Sequence, residues 1–402
     1  MISEKNNKRK IVNDPVYGFI NIPNEGIFDL LEHKYVQRLR RIKQLGLSNF
    51  VYPGAEHTRF SHALGSMHLM NHALDVLRQK DIEITKDEYN SSLEAILLHD
   101  LGHSPISHAL EHSFLRETHE EISLMLMKKM KLSPHTIDIF SNNYHKRFLH
   151  QLVSSQLDCD RLDYLTRDSF FTGVSEGVIG TERIIKMMIE KNDEIVIEQK
   201  GIYSIEKFII SRRLMYWQVY LHKTVIAADS LLVSILNRAR YLVENLRTFS
   251  LTPAMNFFIN NPKSIEDKDL ALEIFSQLDD NDIWASVRVW AEDKDKILSY
   301  LSSCLLNRRL GKVLIQNNPF SQEDIEKYIG KYLNKGFSKW EIQTYFIHSD
   351  ELKNKAYSFL DEKINILFKN GEVKEICDAS DQLDKVFLSK EIKKYFLYQM
   401  PI

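Results

Sequence analysis

Cysteine is nearly missing from this chain: Cys159, Cys304 and Cys377 are the only three, and they form no CxxC pair. That is too few for a disulfide framework and suits a reducing, cytoplasmic setting. A charge excess of either sign is also lacking. The net charge of -2 argues against a dedicated polybasic nucleic-acid binder, leaving at most a local basic patch and nucleic acid an unsupported partner. No apolar run approaches the length of a bilayer, and the opening MISEKNNKRKIVNDP has charge with no apolar stretch behind it. Neither a membrane span nor a secretion signal is therefore expected. Internal repeats and low-complexity tracts are absent too.

What is present is an ordinary globular composition, 44% hydrophobic and 27% charged, over 402 residues. That length is long for one compact domain, so a core over residues 1–240 and an appended region over 241–402 are expected. Residues 10–30 mix β-branched residues with Asn-Asp-Pro and Pro-Asn breakers, which predicts a short hairpin leading into a helix. Helical patterning then covers Leu30 to Leu45. The stripe Leu64, Met67, Met70, Leu74, Leu77 predicts a helix with His62 near its start, and a second helix, capped by Ser91 or Ser92, ends in His99-Asp100-Leu101-Gly102. Further helices are predicted over about 147–168 and 206–238, separated by a hairpin over 194–206 with Lys200-Gly201 at its turn. Beyond residue 245, charged helices such as Ser264–Leu278 alternate with short strands such as Lys312–Ile315. The fold class is mainly α, with a small α+β C-terminal region.

Fifteen histidines, many crowded into residues 57–119, are the informative excess. Imidazole and carboxylate bind hard-to-borderline divalent metals and leave positions open for water and substrate. Candidate ligands are His62, His99, Asp100 and Asp160. One HD dipeptide arises roughly once by chance in such a composition. This one closes an apolar helix, continues as HDLGHSPISH, and is flanked by Arg59-Phe60-Ser61-His62 upstream and Asp160 downstream. Asp160, Tyr164 and Asp168 share one helical face, and Arg212, Tyr216 and Tyr220 repeat that spacing. Such aromatic stripes are more often core packing, but these are threaded with polar groups.

The order H…HD…D resembles the HD superfamily of metal-dependent phosphohydrolases, and within it the dNTP triphosphohydrolase branch. The resembling segments are KIVNDPVYG, QRLRRIKQLG, YPGAEHTRFSHALG, HDLGHSPISHALEH, THEE, DCDRLDYLTRDSFFTG and RRLMYWQVYLHK. They span residues 10 to 223. The resemblance implies an HD helical core and a divalent cofactor (Mn, Mg, Fe, Co or Zn) held by His62, His99, Asp100 and Asp160. Metal-activated water would attack the α-phosphorus and release a deoxynucleoside and triphosphate. His108 would protonate the leaving 5′-oxygen with Glu111 as its partner, where vertebrate members carry aspartate. Arg59, His103 and His119 would neutralise phosphate charge.

Gln44 and Asp168 match residues that hold the sugar 3′-hydroxyl. Leu45, Tyr164 and Tyr220 match those that leave no room for a 2′-hydroxyl. Arg161 and Arg212 match phosphate contacts, with arginine at 161 where vertebrate members carry lysine. Tyr216 replaces a histidine. Members of the branch are often homo-oligomers activated by nucleotides bound between subunits, so a tetramer or dimer is implied. Lys10, Ile11, Asn13, Gln37, Arg40, Phe60, Arg183, His222 and Lys223 match elements of that allosteric site, and Glu32 stands where an aspartate reads the activator. Two other readings stand beside this one: an HD phosphohydrolase for another nucleotide, and a nucleotide-binding regulator with a vestigial site. No GYP extension follows the HD pair, which disfavours cyclic dinucleotides.

Overall fold

The expected N-terminal hairpin pairs Ile11–Asp14 antiparallel with Gly18–Asn21 and leads into the helix Glu25–Leu31. The Asp14 carboxylate accepts the Val16 and Tyr17 N–H groups and so fixes the turn. This description comes from a computed structural model that covers residues 10–260, 267–354, 357, 363–383, 385 and 391–400. As expected, the chain is mainly α.

Three helices build the floor of the site. Helix Arg59–Gln79 opens with a reciprocal capping box between Thr58 and Ser61. It buries Leu64, Met67, Met70, Leu74 and Leu77 almost completely, the stripe its spacing predicts. Burying each such side chain stabilises the fold by about 1.5–3 kcal/mol. Helix Lys86–Leu98 is capped nearly two turns earlier than expected, by Thr85 with Glu88. Ser91 and Ser92 lie inside it, and the Ser92 hydroxyl donates back to the Glu88 carbonyl. The helix Cys159–Thr172 crosses the first of these.

The long helices read from periodicity are broken where a side chain competes for the backbone. The stretch 147–168 divides into Arg147–Val153 and Cys159–Thr172, because the buried Asp158 carboxylate accepts the N–H groups of Ser155 and Arg161. His33 caps Lys34–Arg38 and ends the helical run after residue 31. The stretch 206–238 is Ile202–Met215, a widened π turn over Tyr216–Tyr220, and Lys223–Glu244, whose first turn His222 caps. The mid-chain hairpin pairs Met188–Lys191 with Glu194–Glu198. Its turn is Asn192-Asp193, both left-handed (φ 55° and 64°), and not Lys200-Gly201. Gly201 instead lies against Ile197 and Met187, where a Cβ would collide.

Beyond residue 244, the region expected to be appended reaches back to the core. Arg38, 1% exposed, donates to the carbonyls of Leu278, Leu101 and His103 at 2.7, 3.0 and 2.9 Å. Asp280 accepts the backbone N–H groups of Lys43 and Ile106, and Asp279 pairs with Arg41. The segment before Gln44 and the HD turn are thereby tied to helix Asp280–Ala291. Strand Asn365–Leu367 adds in parallel to Glu194–Glu198, while Lys312–Gln316 and Ile347–Asn354 flank Ile392–Gln399 in an antiparallel sheet. The strand expected at Lys312–Ile315 is thus present. Of the helix expected over Ser264–Leu278, residues 264–266 lie outside the described residues and Lys268–Phe275 is helical. Residue 240 falls inside helix Lys223–Glu244. Among the described residues no single helix is long and apolar enough to cross a membrane.

Candidate metal centre

His62 sits in the first turn of its helix, His99 and Asp100 at the end of Lys86–Leu98, and Asp160 in the first turn of Cys159–Thr172. The crossing of the three helices brings these ends together. His62 Nε2 lies 3.0 Å from Asp160 Oδ1 and 3.4 Å from His99 Nε2, and His99 Nε2 lies 3.5 Å from that same oxygen. Asp100 approaches both rings, at 3.7 Å from His62 and 3.4 Å from His99.

The ring orientations are what fit this cluster to a divalent cation. His62 Nδ1–H donates to Asp163 at 2.7 Å, and His99 Nδ1–H donates to the Ile96 carbonyl at 2.6 Å. Each outer bond fixes the tautomer and turns an Nε2 lone pair towards the common point. Burial alone would depress the His62 pKa, but hydrogen bonds to Asp160 and Asp163 and the charge of Asp100 push it up to about 10. Desolvation opposes charge on Asp100 as well, yet His99, Arg59 and His103 hold it far below the usual carboxylate range. The carboxylate charge that raises the His62 pKa also attracts a divalent ion, which must displace that proton to bind.

A cavity of about 860 Å³ opens beside this cluster. Of the expected catalytic group, Arg59, His103, His108 and His119 line it. Arg59 is also bound, donating to Asp100 at 2.6 Å and to the Ser107 hydroxyl at 3.1 Å. His103 lies 3.0 Å from Asp100 and stacks on His119, ring centroids 4.0 Å apart. Burial and the neighbouring Arg59 hold the His103 pKa well below normal. Glu111 joins the remaining two: His108 Nδ1 donates to one oxygen at 3.1 Å and His119 Nδ1 to the other at 2.6 Å. The hydrogen bond from His108 leads the effects that keep Glu111 ionised.

All the expected substrate residues face the same cavity: Gln44, Leu45, Arg161, Tyr164, Asp168, Arg212, Tyr216 and Tyr220. The π turn sets Tyr216 and Tyr220 edge to face at 5.1 Å. Tyr220 donates to Asp168 at 2.7 Å. Arg161 Nε and Arg212 Nε are buried with no hydrogen-bond partner among the described residues.

The expected allosteric residues divide. Arg40 stacks on Phe60 at 3.5 Å and donates to Gln37 at 3.0 Å, with Glu32 acting on its charge. Lys10 lies over Phe28, with Ile11 and Asn13 following it in the first strand. Arg183 bonds the Lys200 carbonyl, and His222 and Lys223 begin their own helix.

Several residues of the site escaped the sequence reading. Behind His62, the Asp163 carboxylate takes two bonds from Arg167, which also pairs with Asp14 at 2.8 Å. His57 donates to Asp168 at 2.8 Å. The signals were the carboxylates at 160 and 163 inside one DCDRLD run, and a histidine five residues before His62. Two glycines make the close packing possible. A Cβ on Gly65 would fall 1.9 Å from Asp163, and one on Gly102 would fall 2.0 Å from the His119 carbonyl. Gly102→Ala is expected to push away the helix that starts at His119 and to destabilise the protein by about 1–3 kcal/mol. Loss of activity should exceed the loss of folded protein, which calorimetry beside a rate assay checks.

An imidazole–carboxylate cluster at crossed helix ends, opening on a cavity lined by Arg59, Arg161 and Arg212, has the make-up of a phosphohydrolase site. The family model described as the HD associated region matches residues 179–248. The Bacillus subtilis protein YwfO, itself uncharacterized, is 33% identical over 95% of this chain and 90% of its own length. The crystal structure of a phosphohydrolase from Bacteroides thetaiotaomicron is 47% identical, with a TM-score of 0.93 over 98% of this chain and all of that one. The Dictyostelium discoideum deoxynucleoside triphosphate triphosphohydrolase SAMHD1 homolog is 31% identical over 53% of this chain and 46% of its own. The chain belongs to the HD superfamily of metal-dependent phosphohydrolases, among the relatives of SAMHD1.

Proposed function

We propose that this protein hydrolyses deoxynucleoside triphosphates to the deoxynucleoside and inorganic triphosphate. The observation that carries the reading is one cavity lined by the His99–Asp100–Asp160 cluster, by Arg161 and Arg212, whose buried Nε groups have no hydrogen-bond partner among the described residues, and by Gln44, Asp168 and Tyr220. The printed name of the Dictyostelium relative supports the substrate class.

His62, His99, Asp100 and Asp160 would hold the metal, which when bound lowers the pKa of water and polarises a phosphoryl oxygen. Arg161 and Arg212 supply charge-assisted bonds to phosphate oxygens. His108 gives a proton to the leaving 5′-oxygen, and Glu111 orients its ring and stabilises the imidazolium before transfer. His119, on the other Glu111 oxygen, and Arg59 carry positive charge towards the phosphates. Leu45, Tyr164 and Tyr220 crowd the sugar's 2′ position, and Asp168, braced by His57 and Tyr220, accepts from its 3′-hydroxyl. Lys10, Ile11, Asn13, Glu32, Gln37, Arg40, Phe60, Arg183, His222 and Lys223 form a nucleotide site completed by another subunit.

The test is product analysis with each dNTP alone and then all four, across Mn, Mg, Fe, Co and Zn. Triphosphate with deoxynucleoside is expected, and activity only in the mixture marks nucleotide activation. Pyrophosphate or orthophosphate alone overturns the reading in favour of another HD reaction.

A further inference from the structure

Among the ionisable groups of the cavity that the reaction leaves unused, Asp229 has the least company. Asp229 lies one turn after Val225 on helix Lys223–Glu244, and both residues line the cavity wall. That helix packs on the short helical turns Gly46–Phe50 and Ser107–Leu110. The Asp229 carboxyl has no hydrogen-bond or ion-pair partner among the described residues. Burial alone pushes its pKa up to about 7, with no charge from the metal cluster acting on it. A half-buried acid that faces a cavity and meets no protein donor makes no structural bond there and is free to accept from a ligand.

Gln44, just ahead of the Gly46–Phe50 turn, has its Oε1 buried and without a donor. One cavity thus holds arginine donors, at Arg161 and Arg212, and acceptors that lack a protein donor, at Gln44 and Asp229. A nucleotide offers a match to both, phosphates for the donors and hydroxyl and ring N–H groups for the acceptors.

We infer that Asp229 reads the base, its two oxygens accepting the adjacent N1–H and N2–H of guanine, and so sets a preference for dGTP. Among the four bases only guanine offers two neighbouring donors on that edge. Thymine offers one donor between two carbonyl oxygens, which a carboxylate repels. Binding of guanine draws the carboxyl into its ionised form, because both ring donors bond the charged state more strongly. The inference rests on the dNTP reading of the cavity.

The experiment measures kcat/KM for dGTP, dITP and dTTP on metal-loaded wild type and on Asp229→Asn. In wild type, dITP, which lacks the 2-amino group, should fall several-fold below dGTP. In the variant the dGTP-to-dTTP ratio should fall about tenfold or more, the effect of losing charge-assisted bonds to a base edge. Wild type that handles dITP as well as dGTP overturns the assignment without any variant. A dGTP-to-dTTP ratio that Asp229→Asn does not move overturns it equally, and shows a structural role if both rates drop together. Wild type that releases triphosphate from none of the three substrates fails the dNTP reading itself and takes the assignment with it.

Discussion

Asp160→Ala is expected to lower kcat/KM by at least about 10³-fold, roughly 4 kcal/mol of transition-state stabilisation, and to remove bound metal. Asp160 Oδ1 is the atom on which His62 and His99 converge, at 3.0 and 3.5 Å. Without it the two imidazoles keep their outer bonds to Asp163 and Ile96 but lose the charge that makes them a cation site. Asp160 is a quarter exposed, so its loss should leave the fold standing. Metal content by elemental analysis and the melting transition separate the two effects. A variant with wild-type metal content and full turnover would move the site elsewhere.

The second large effect lies behind the candidate metal cluster. Asp163 and Arg167 are both 0% exposed, and Asp163 bonds His62 as well as Arg167. Asp163→Ala leaves a buried guanidinium with Asp14 as its remaining carboxylate and removes the acceptor that orients His62. Breaking a buried pair from one side costs about 3–5 kcal/mol, and losing such an outer bond weakens metal binding by about 10–100-fold. Denaturant unfolding should show the first and metal titration the second. Asp163→Asn keeps an acceptor for His62 Nδ1 and should recover more metal affinity than stability. Equal recovery of both would mean that the carboxylate does not orient the ring.

The residues of the metal cluster were legible because each is tied to a local signal. His62 opens a periodic helix, His99-Asp100 closes one, and Asp160 shares a helical face with Tyr164 and Asp168. Position within a helix end is local information, and three such ends meeting is what the HD order encodes. The outer layer was hidden because its partners are distant in the chain: Arg167 meets Asp14 across 153 residues, and His57 meets Asp168 across 111.

The helix breaks were hidden for a different reason. Neither proline nor glycine stands at His33, Asp158 or His222. Each interrupts its helix by capping the next one with its side chain, which apolar periodicity does not register. The break at 216–222 matters most for function, since the π turn sets Tyr216 and Tyr220 against each other and carries the chain into the helix of Asp229. The grip of helix Asp280–Ala291 on Lys43 and Ile106 was equally beyond reach, because backbone N–H groups meeting a remote carboxylate leave no trace in composition.

The account stands most directly on where water enters the substrate. Metal-loaded protein should hydrolyse a dNTP in ¹⁸O-labelled water, with the products resolved by mass. Attack on the α-phosphorus with departure of the 5′-oxygen predicts one heavy oxygen in the triphosphate and none in the deoxynucleoside. Label in a deoxynucleoside monophosphate released with pyrophosphate, or in the deoxynucleoside itself, would contradict it.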